Sequence, residues 1–127
     1  MRLMSFFHTT EQIRARTKFE TRRVGWEFAK PGMKVDAVLK SMGRKRGEPL
    51  VYLGVIEFVE VEREPLNAIT PSGCVLEGFP DLTPGEFVTM FCKHMKTWPK
   101  KEVTRIRFCY HIGAGVPPIY WPGHRSS

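Results

Sequence analysis

The chain has 127 residues, a length that fits one domain. Hydrophobic residues make up 42% of it, enough for a packed core, so the chain is not a disordered tail. The formal net charge is +7, and the excess is concentrated: residues 1–48 hold 12 Lys/Arg and 5 Asp/Glu, whereas residues 49–127 hold 8 of each. A basic region of this kind favours an anionic partner, most commonly nucleic acid.

Composition also argues against membrane and secreted classes. Apolar stretches fall well short of the roughly 20 residues that a membrane span needs, so no membrane partner is expected. The first residues, "MRLMSFFHTTEQ", turn polar too early for a signal peptide, and we expect a cytoplasmic location. Cys74, Cys92 and Cys109 are widely spaced without a C-x-x-C pair, which predicts free thiols in a reducing compartment.

The first half of the chain predicts one short helix between extended segments. Thr9 and Gln12 fit a capping box, so the helix should begin near Thr10. Pro31 and Gly32 mark a turn. The extended segments are residues 3–7, 19–26 and 35–42, and an exposed basic loop, "GRKRGEP" at 43–49, follows them.

The longest predicted strand is "VYLGVIEFVEVERE" at residues 51–64. Its second half alternates apolar and acidic residues, as a half-solvated strand does. Its first half is apolar on both faces, and the alternation changes phase near Glu57 and Phe58. This change of phase predicts a bulge or a strong bend there.

Two helices are predicted in the second half, each from a Thr-Pro start. Thr70 begins the first, and Gly78 ends it. Thr83 begins the second with Glu86 at its third position, and one face of that helix packs inward through residues at helical spacing: Phe87, Met90, Phe91 and His94. The segment "VTRIRFCY" at 103–110 closes the domain as a strand.

The resulting order, β-α-β-β-β-α-α-β, indicates an α+β fold. Its natural architecture is a small, bent β-barrel with short helices at two insertions. We assign residues 1–110 to this domain. Residues 111–127 form a Gly/Pro-rich tail that we expect to be peripheral, with Tyr120 and Trp121 as anchors.

Two weaker motifs carry no cofactor or metal prediction. "GAG" at 113–115 follows a strand, but Pro117 and Pro118 exclude the helix that a dinucleotide-binding motif requires. Cys92 and His94 lack a second ligand pair at zinc spacing. We therefore expect neither a bound metal nor a cofactor.

The basic run "RTKFETRR" at 16–23 is the strongest candidate site. It spans the end of a predicted helix and the start of a strand, a junction that can make side chains converge. Thr21 and Arg23 share one face of an extended segment, whereas Lys18 would point to the other face. A bend between Lys18 and Thr21 is needed for the two to act together.

Lys18, Thr21 and Arg23, after a short strand and helix and before "KPGM", make residues 4–110 resemble the activating signal cointegrator homology (ASCH) family. That family belongs to the PUA-like superfamily of small β-barrels. Its signature is Gly-x-Lys, four further residues and Arg. Lys18 and Arg23 match this spacing, and Arg16 stands where the signature has Gly.

One branch of that family, the small amidohydrolases of N4-acetylcytidine, is similar in more detail. The resemblance implies that Lys18 is the base, Thr21 the nucleophile and Glu77 the proton donor. Such a lysine must lose its proton near neutral pH, although its ordinary pKa is about 10.4. Burial lowers a lysine pKa, and so do cationic neighbours, here Arg16, Arg22 and Arg23.

Two other functions stay open. In a binding module, the same cleft would hold RNA or a modified nucleoside without chemistry, and Trp26 would stack on a base. The phosphate contacts would then come from basic residues: Arg16, Arg22, Arg23, Arg44, Lys45 and Arg46. A ribonuclease ranks third, because the sequence has no evident metal cluster or histidine pair.

Overall fold

Five strands and three helices follow one another in the order that the sequence predicts. The computed structural model describes residues 1–125. The strands are β1 (Leu3–Ser5), β2 (Glu20–Arg23), β3 (Lys34–Val38), β4 (Tyr52–Pro65) and β5 (Glu102–His111). The helices are α1 (Thr10–Arg14), α2 (Pro71–Glu77) and α3 (Pro84–Met95), and 3₁₀ turns lie at Phe7–Thr9 and Leu66–Ala68.

The strands form one mixed sheet in the order β1-β3-β4-β5-β2. β1 runs parallel to β3, and the other neighbours are antiparallel. The edge strands β1 and β2 are not paired with each other within residues 1–125, so the sheet is unclosed. The predicted α+β class is confirmed, and the sheet is compatible with a bent, barrel-like fold.

The long strand β4 changes register where the sequence predicts a bulge. Phe58 pairs with Phe108 of β5, but the next pair joins Glu60 to Arg107, so β4 has one extra residue there. A bulge of this kind bends the strand and increases its twist. β4 can therefore pair with β3 through its first half and with β5 along most of its length.

Two apolar clusters pack the domain. The larger one lies under the sheet and is rich in aromatic rings, among them Phe6, Phe58 and Phe108. The smaller one joins α2 and α3 to the start of β5 through Cys74, Phe87 and other residues. Successive side chains of β5 point to opposite faces of the sheet, so this strand contributes to both clusters. Ile106 belongs to the larger cluster and Val103 to the smaller one.

Threonine caps set the starts of the two later helices. Thr70 Oγ1 accepts a hydrogen bond from the Gly73 amide, and Thr83 forms the predicted capping box with Glu86. Both predicted starts are confirmed.

The capping box predicted at α1 is wrong, although the helix does begin at Thr10. The Thr9 side chain makes no capping hydrogen bond, because Thr9 ends a 3₁₀ turn. The Thr10 hydroxyl instead donates to the Phe6 carbonyl. Gln12 turns away from the helix start, and its Nε2 donates to the Gly78 carbonyl at the end of α2.

The described part of the C-terminal tail returns to the sheet. Ile119 pairs with Tyr110 through two backbone hydrogen bonds, and Trp121 is buried against the larger cluster. The division into a domain and a peripheral tail stays a prediction, and the last two residues, 126–127, lie outside the described part.

Within residues 1–125, the helices are all too short or too polar to cross a membrane.

Gly78 ends α2 in the left-handed conformation, with φ of +96°. A Cβ added there would lie 2.8 Å from Gln12 Cγ. We expect Gly78→Ala to lower the free energy of unfolding by about 1–3 kcal/mol, because the left-handed conformation is unfavourable for alanine and the Gln12 side chain must move to make room for the Cβ. Chemical denaturation measures this change.

The matched control is Gly85→Ala in the first turn of α3. A Cβ at Gly85 would have no heavy atom of the described residues 1–125 within 4 Å, and the φ of Gly85 is not positive. Alanine favours helix over glycine by up to about 1 kcal/mol, so this variant should be as stable as the wild type or slightly more so. Equal effects of the two substitutions would contradict the assignment of Gly78 as the strained position.

Candidate active site

Lys18 lies in the short connection between α1 and β2, and its side chain is buried. The chain reverses after α1 through Arg16, whose φ of +57° is in the left-handed region. The following backbone is held on two sides: the Phe19 amide donates to the Leu76 carbonyl at 2.7 Å, and the Tyr110 hydroxyl donates to the Lys18 carbonyl. These contacts fix Lys18 against the end of α2.

Glu77, the last residue of α2, faces Lys18. Lys18 Nζ lies 2.6 Å from Glu77 Oε1 and also donates to the Glu77 carbonyl at 2.8 Å. The other carboxylate oxygen, Oε2, accepts from Arg22 Nη1 at 3.0 Å. The side chains of Lys18 and Glu77 are 3% and 4% exposed, so this is an ion pair inside the protein.

Thr21 and Arg23 lie on the same face of β2, as predicted for an extended segment. Arg23 Nε donates to Thr21 Oγ1 at 3.0 Å, and Arg23 Nη2 donates to the Ser5 carbonyl at 2.7 Å. β2 begins only at Glu20, so Lys18 precedes the strand and its side chain need not follow the alternation of faces along β2. Lys18 and Thr21 therefore line the same cavity.

Burial and charge shift the pKa values of these groups. Burial lowers the pKa of Lys18; Glu77 opposes this effect, and Arg23 and Arg22 add to it. Burial also lowers the pKa of Arg23 to about 10, against the attraction of Glu77. Lys18 is therefore closer to losing its proton at neutral pH than an ordinary lysine is.

The cavity beside these residues has a volume of about 320 Å³, at the lower end of the range for small-molecule sites. Its polar side includes Lys18, Thr21, Arg22, Arg23 and Glu77. Its apolar side comes mainly from the α2–α3 region: Phe79, Phe87, Met90, Phe91 and Met95.

Two histidines lie at the same cavity and stack on each other. The rings of His8 and His94 are 4.2 Å apart at an angle of 9°. Burial and the neighbouring His94 lower the pKa of His8, which favours a neutral His8 ring in the stack. The pair joins the 3₁₀ turn at Phe7–Thr9 to α3.

The other sequence-predicted site residues lie elsewhere. Arg16 is exposed in the turn after α1, and Trp26 packs against Phe28 and Phe58. The loop residues Arg44, Lys45 and Arg46 are exposed between β3 and β4. The structure thus brings together Lys18, Thr21, Arg22, Arg23 and Glu77. Within residues 1–125, Arg16, Trp26 and the loop residues are not part of the cavity lining.

The sequence interpretation missed the apolar wall and the histidine pair. Phe87, Met90, Phe91 and His94 were recognisable from their helical spacing, but this spacing indicated only an inward-facing helix side. Spacing alone does not distinguish a core face from a cavity wall.

Removal of the Glu77 charge should destabilise the protein. Glu77→Gln leaves Lys18 and Arg22 without their shared carboxylate in a buried position, and breaking a buried pair costs about 3–5 kcal/mol. Denaturant unfolding at pH 7 measures this loss.

Glu62→Gln is the matched control, because Glu62 pairs with Arg105 at 2.7 Å but is 62% exposed. Exposed pairs contribute about 0–1 kcal/mol, so this variant should unfold close to the wild type. A Glu77→Gln protein as stable as the Glu62→Gln control would show that the buried pair does not stabilise the fold.

Comparisons with known proteins show similarity at the level of the fold. Neither a family model nor a curated protein matches the sequence. Among solved structures, the chain resembles protein EF3133 from Enterococcus faecalis V583, of the family DUF984, with a TM-score of 0.58 and 14% sequence identity. The likeness covers 100% of this chain and 86% of that one. At this identity, it shows a shared fold.

Proposed function

We propose that the protein is an amidohydrolase that cleaves the acyl group from an N4-acylated cytidine. Lys18 is the base, Thr21 the nucleophile and Glu77 the proton donor. The observation that carries the proposal is the buried 2.6 Å contact between Lys18 Nζ and Glu77 Oε1 at a cavity that Thr21 also lines.

The short Lys18–Glu77 contact supports both roles at once. Moving one proton across 2.6 Å converts the ion pair into a neutral amine and a carboxylic acid. These are the base and the acid that amide cleavage requires. Burial lowers the pKa of Lys18 and so favours its neutral amine, although the Glu77 charge opposes this effect. In this proposal the Lys18–Glu77 pair holds one proton between the two groups.

The reaction balances with this one shared proton. Thr21 Oγ attacks the acyl carbon, and its proton passes to the Lys18 amine. The C–N bond then breaks, and Glu77 gives its proton to the departing N4 amine, leaving an acyl ester on Thr21. Water hydrolyses the ester to a carboxylic acid and restores the threonine hydroxyl. The sum is amide plus water giving amine plus acid.

Arg23 is placed to stabilise the negative charge that develops on the attacking oxygen of Thr21 as its proton leaves. Its guanidinium already donates to Thr21 Oγ1, the attacking atom, at 3.0 Å. The Ser5 carbonyl and the Phe6 ring, 4.7 Å from the guanidinium carbon, hold it in place. A fixed cation beside the reacting oxygen stabilises developing negative charge without reorganising.

The resemblance to the ASCH amidohydrolases supports the same assignment. Arg16 stands where the family signature has Gly, and its φ of +57° is a conformation that glycine adopts freely. The turn before Lys18 is therefore compatible with the signature despite the substitution. The fold likeness to the DUF984 protein is consistent with this proposal but does not specify an activity.

A second candidate function is RNA binding, favoured by the exposed loop residues Arg44, Lys45 and Arg46. Together with the net charge of +7, they provide a basic surface outside the cavity. The two functions are compatible if the cytidine is part of a polymer. In a pure binding module, the buried pair would have a structural role instead.

We expect the wild-type protein to release cytidine from N4-acetylcytidine. Lys18→Met and Thr21→Val should each lower kcat/KM by at least about 100-fold, because each removes a group that acts on the reacting atoms. Both substitutions keep the side-chain size close to the original. Chromatographic separation of substrate and product measures the rate.

Lys100→Ala is the control, since Lys100 is exposed and is not a cavity-lining residue. It should react like the wild type. If the wild type is inactive but binds RNA, and binding weakens steeply as salt rises from roughly 50 to 200 mM, the recognition function replaces the enzymatic one. Equal activity of Lys18→Met and wild type would exclude Lys18 as the base.

The shared proton predicts a bell-shaped dependence of kcat/KM on pH. The active form of the Lys18–Glu77 pair holds one proton: a second proton added at low pH blocks the base, and loss of the first at high pH removes the acid. Since the pKa of Lys18 is lowered, the alkaline limb should lie below the ordinary lysine value of about 10.4. Initial rates across pH test this. Activity that keeps rising beyond that value would contradict a shared proton.

A further inference from the structure

Glu57, Cys109 and His111 come together on β4 and β5. Glu57 pairs directly with Cys109 across the two strands, and His111 follows two residues later on the same face. The three potential ligand atoms all lie within 4.8 Å of one another. Glu57 Oε1 and His111 Nε2 are 2.8 Å apart.

We propose that this cluster binds one Zn²⁺ ion. A thiolate, an imidazole and a carboxylate are the three ligand types that zinc accepts, whereas Mg²⁺ and Ca²⁺ prefer oxygen ligands alone. Three protein ligands leave a fourth tetrahedral position for water. The sequence interpretation expected no metal, because Cys92 and His94 lack a second ligand pair. Glu57 and His111 are 54 residues apart and form no local motif.

The geometry requires a small adjustment. Zinc–ligand bonds of about 2.0–2.3 Å at a tetrahedral angle place neighbouring ligand atoms about 3.3–3.8 Å apart. The separation of 2.8 Å between Glu57 and His111 must therefore widen by about 0.6 Å. The side chains of Glu57 and His111 are 30% and 26% exposed, which leaves them free to move and lets the ion enter from solvent.

The surroundings of the cluster support a built site. Cys109 is fully buried, while its two partners are partly exposed, so the sulfur would lie on the protected side of the ion. The bulge of β4 directly follows Glu57 and Phe58, and bulges often adjust side chains at functional sites.

Binding involves no redox step. Cys109 Sγ gives its proton to solvent as the Zn–S bond forms, and zinc remains Zn²⁺. His111 binds through Nε2 and keeps its proton on Nδ1. The three ligands are separate from the residues that line the candidate active site, so the proposal does not rest on the proposed activity.

The test uses tag-free, full-length protein titrated with Co²⁺, a spectroscopic substitute for Zn²⁺. We expect one equivalent to bind, with a near-ultraviolet absorption from thiolate-to-cobalt charge transfer that Zn²⁺ abolishes. Cys109→Ser should abolish this absorption. His111→Ala should weaken binding by at least about 100-fold, since loss of even an outer partner of a metal ligand costs about 10–100-fold.

Cys92→Ser is the matched control, because Cys92 is a free cysteine on α3, outside the cluster. It should bind Co²⁺ like the wild type. Circular dichroism checks that each variant is folded, and the partly exposed His111 position decides the question if Cys109→Ser does not fold. Absence of one-to-one binding, an absorption that survives Cys109→Ser, or an unchanged affinity for Co²⁺ in His111→Ala would overturn the proposal.

Discussion

The buried contact between Lys18 and Glu77 constrains the rest of the site. Removing two charges from water costs several kcal/mol each, and their attraction offsets this cost only when the geometry is good and other polar groups assist. The structure supplies that assistance. Arg22 binds the second carboxylate oxygen, and backbone contacts from Phe19 and Tyr110 hold Lys18 in position. The loop after α1 and the end of α2 are therefore fixed relative to each other.

Arg22 extends this arrangement across β2. Its guanidinium contacts Glu77 at one end and lies 2.7 Å from Glu20 Oε1 at the other. Glu20 in turn accepts from Arg107 at 2.9 Å. Among residues 1–125, neither Glu20 Oε1 nor Arg22 Nε finds a partner with hydrogen-bond geometry, so the interior of this network is not fully satisfied there. Unsatisfied buried groups lower stability, so this network stabilises the fold less than a fully hydrogen-bonded one would.

Local signals in the sequence predicted local structure well. The Thr-Pro starts, the Gly78 stop and the phase change before the β4 bulge each depend on a few neighbouring residues, and the structure contains all of them. The predicted capping box at Thr9 does not form, because Thr9 belongs to a 3₁₀ turn and the Gln12 side chain instead donates to the distant Gly78 carbonyl.

Contacts between distant segments were less accessible. Only the resemblance to a known family placed Glu77 in one site with Lys18, 59 residues away. Composition and periodicity contain no information about this contact. The apolar wall was recognisable as a helix face but not as a cavity lining. The cluster of Glu57, Cys109 and His111 depends on the register between β4 and β5, which a single sequence does not fix.

The position of β2 at the edge of the sheet has a kinetic consequence. It pairs with β5, so that Glu20 meets Arg107 across 87 residues of chain. Closing so long a loop loses chain entropy before the contact forms and stabilises the fold, and contacts of this range slow folding. Lys18 and Thr21 therefore reach their final surroundings only when the two ends of the domain have met. A truncated or partly folded chain would contain Lys18 and Thr21, but these residues would lack the surroundings that the complete fold provides.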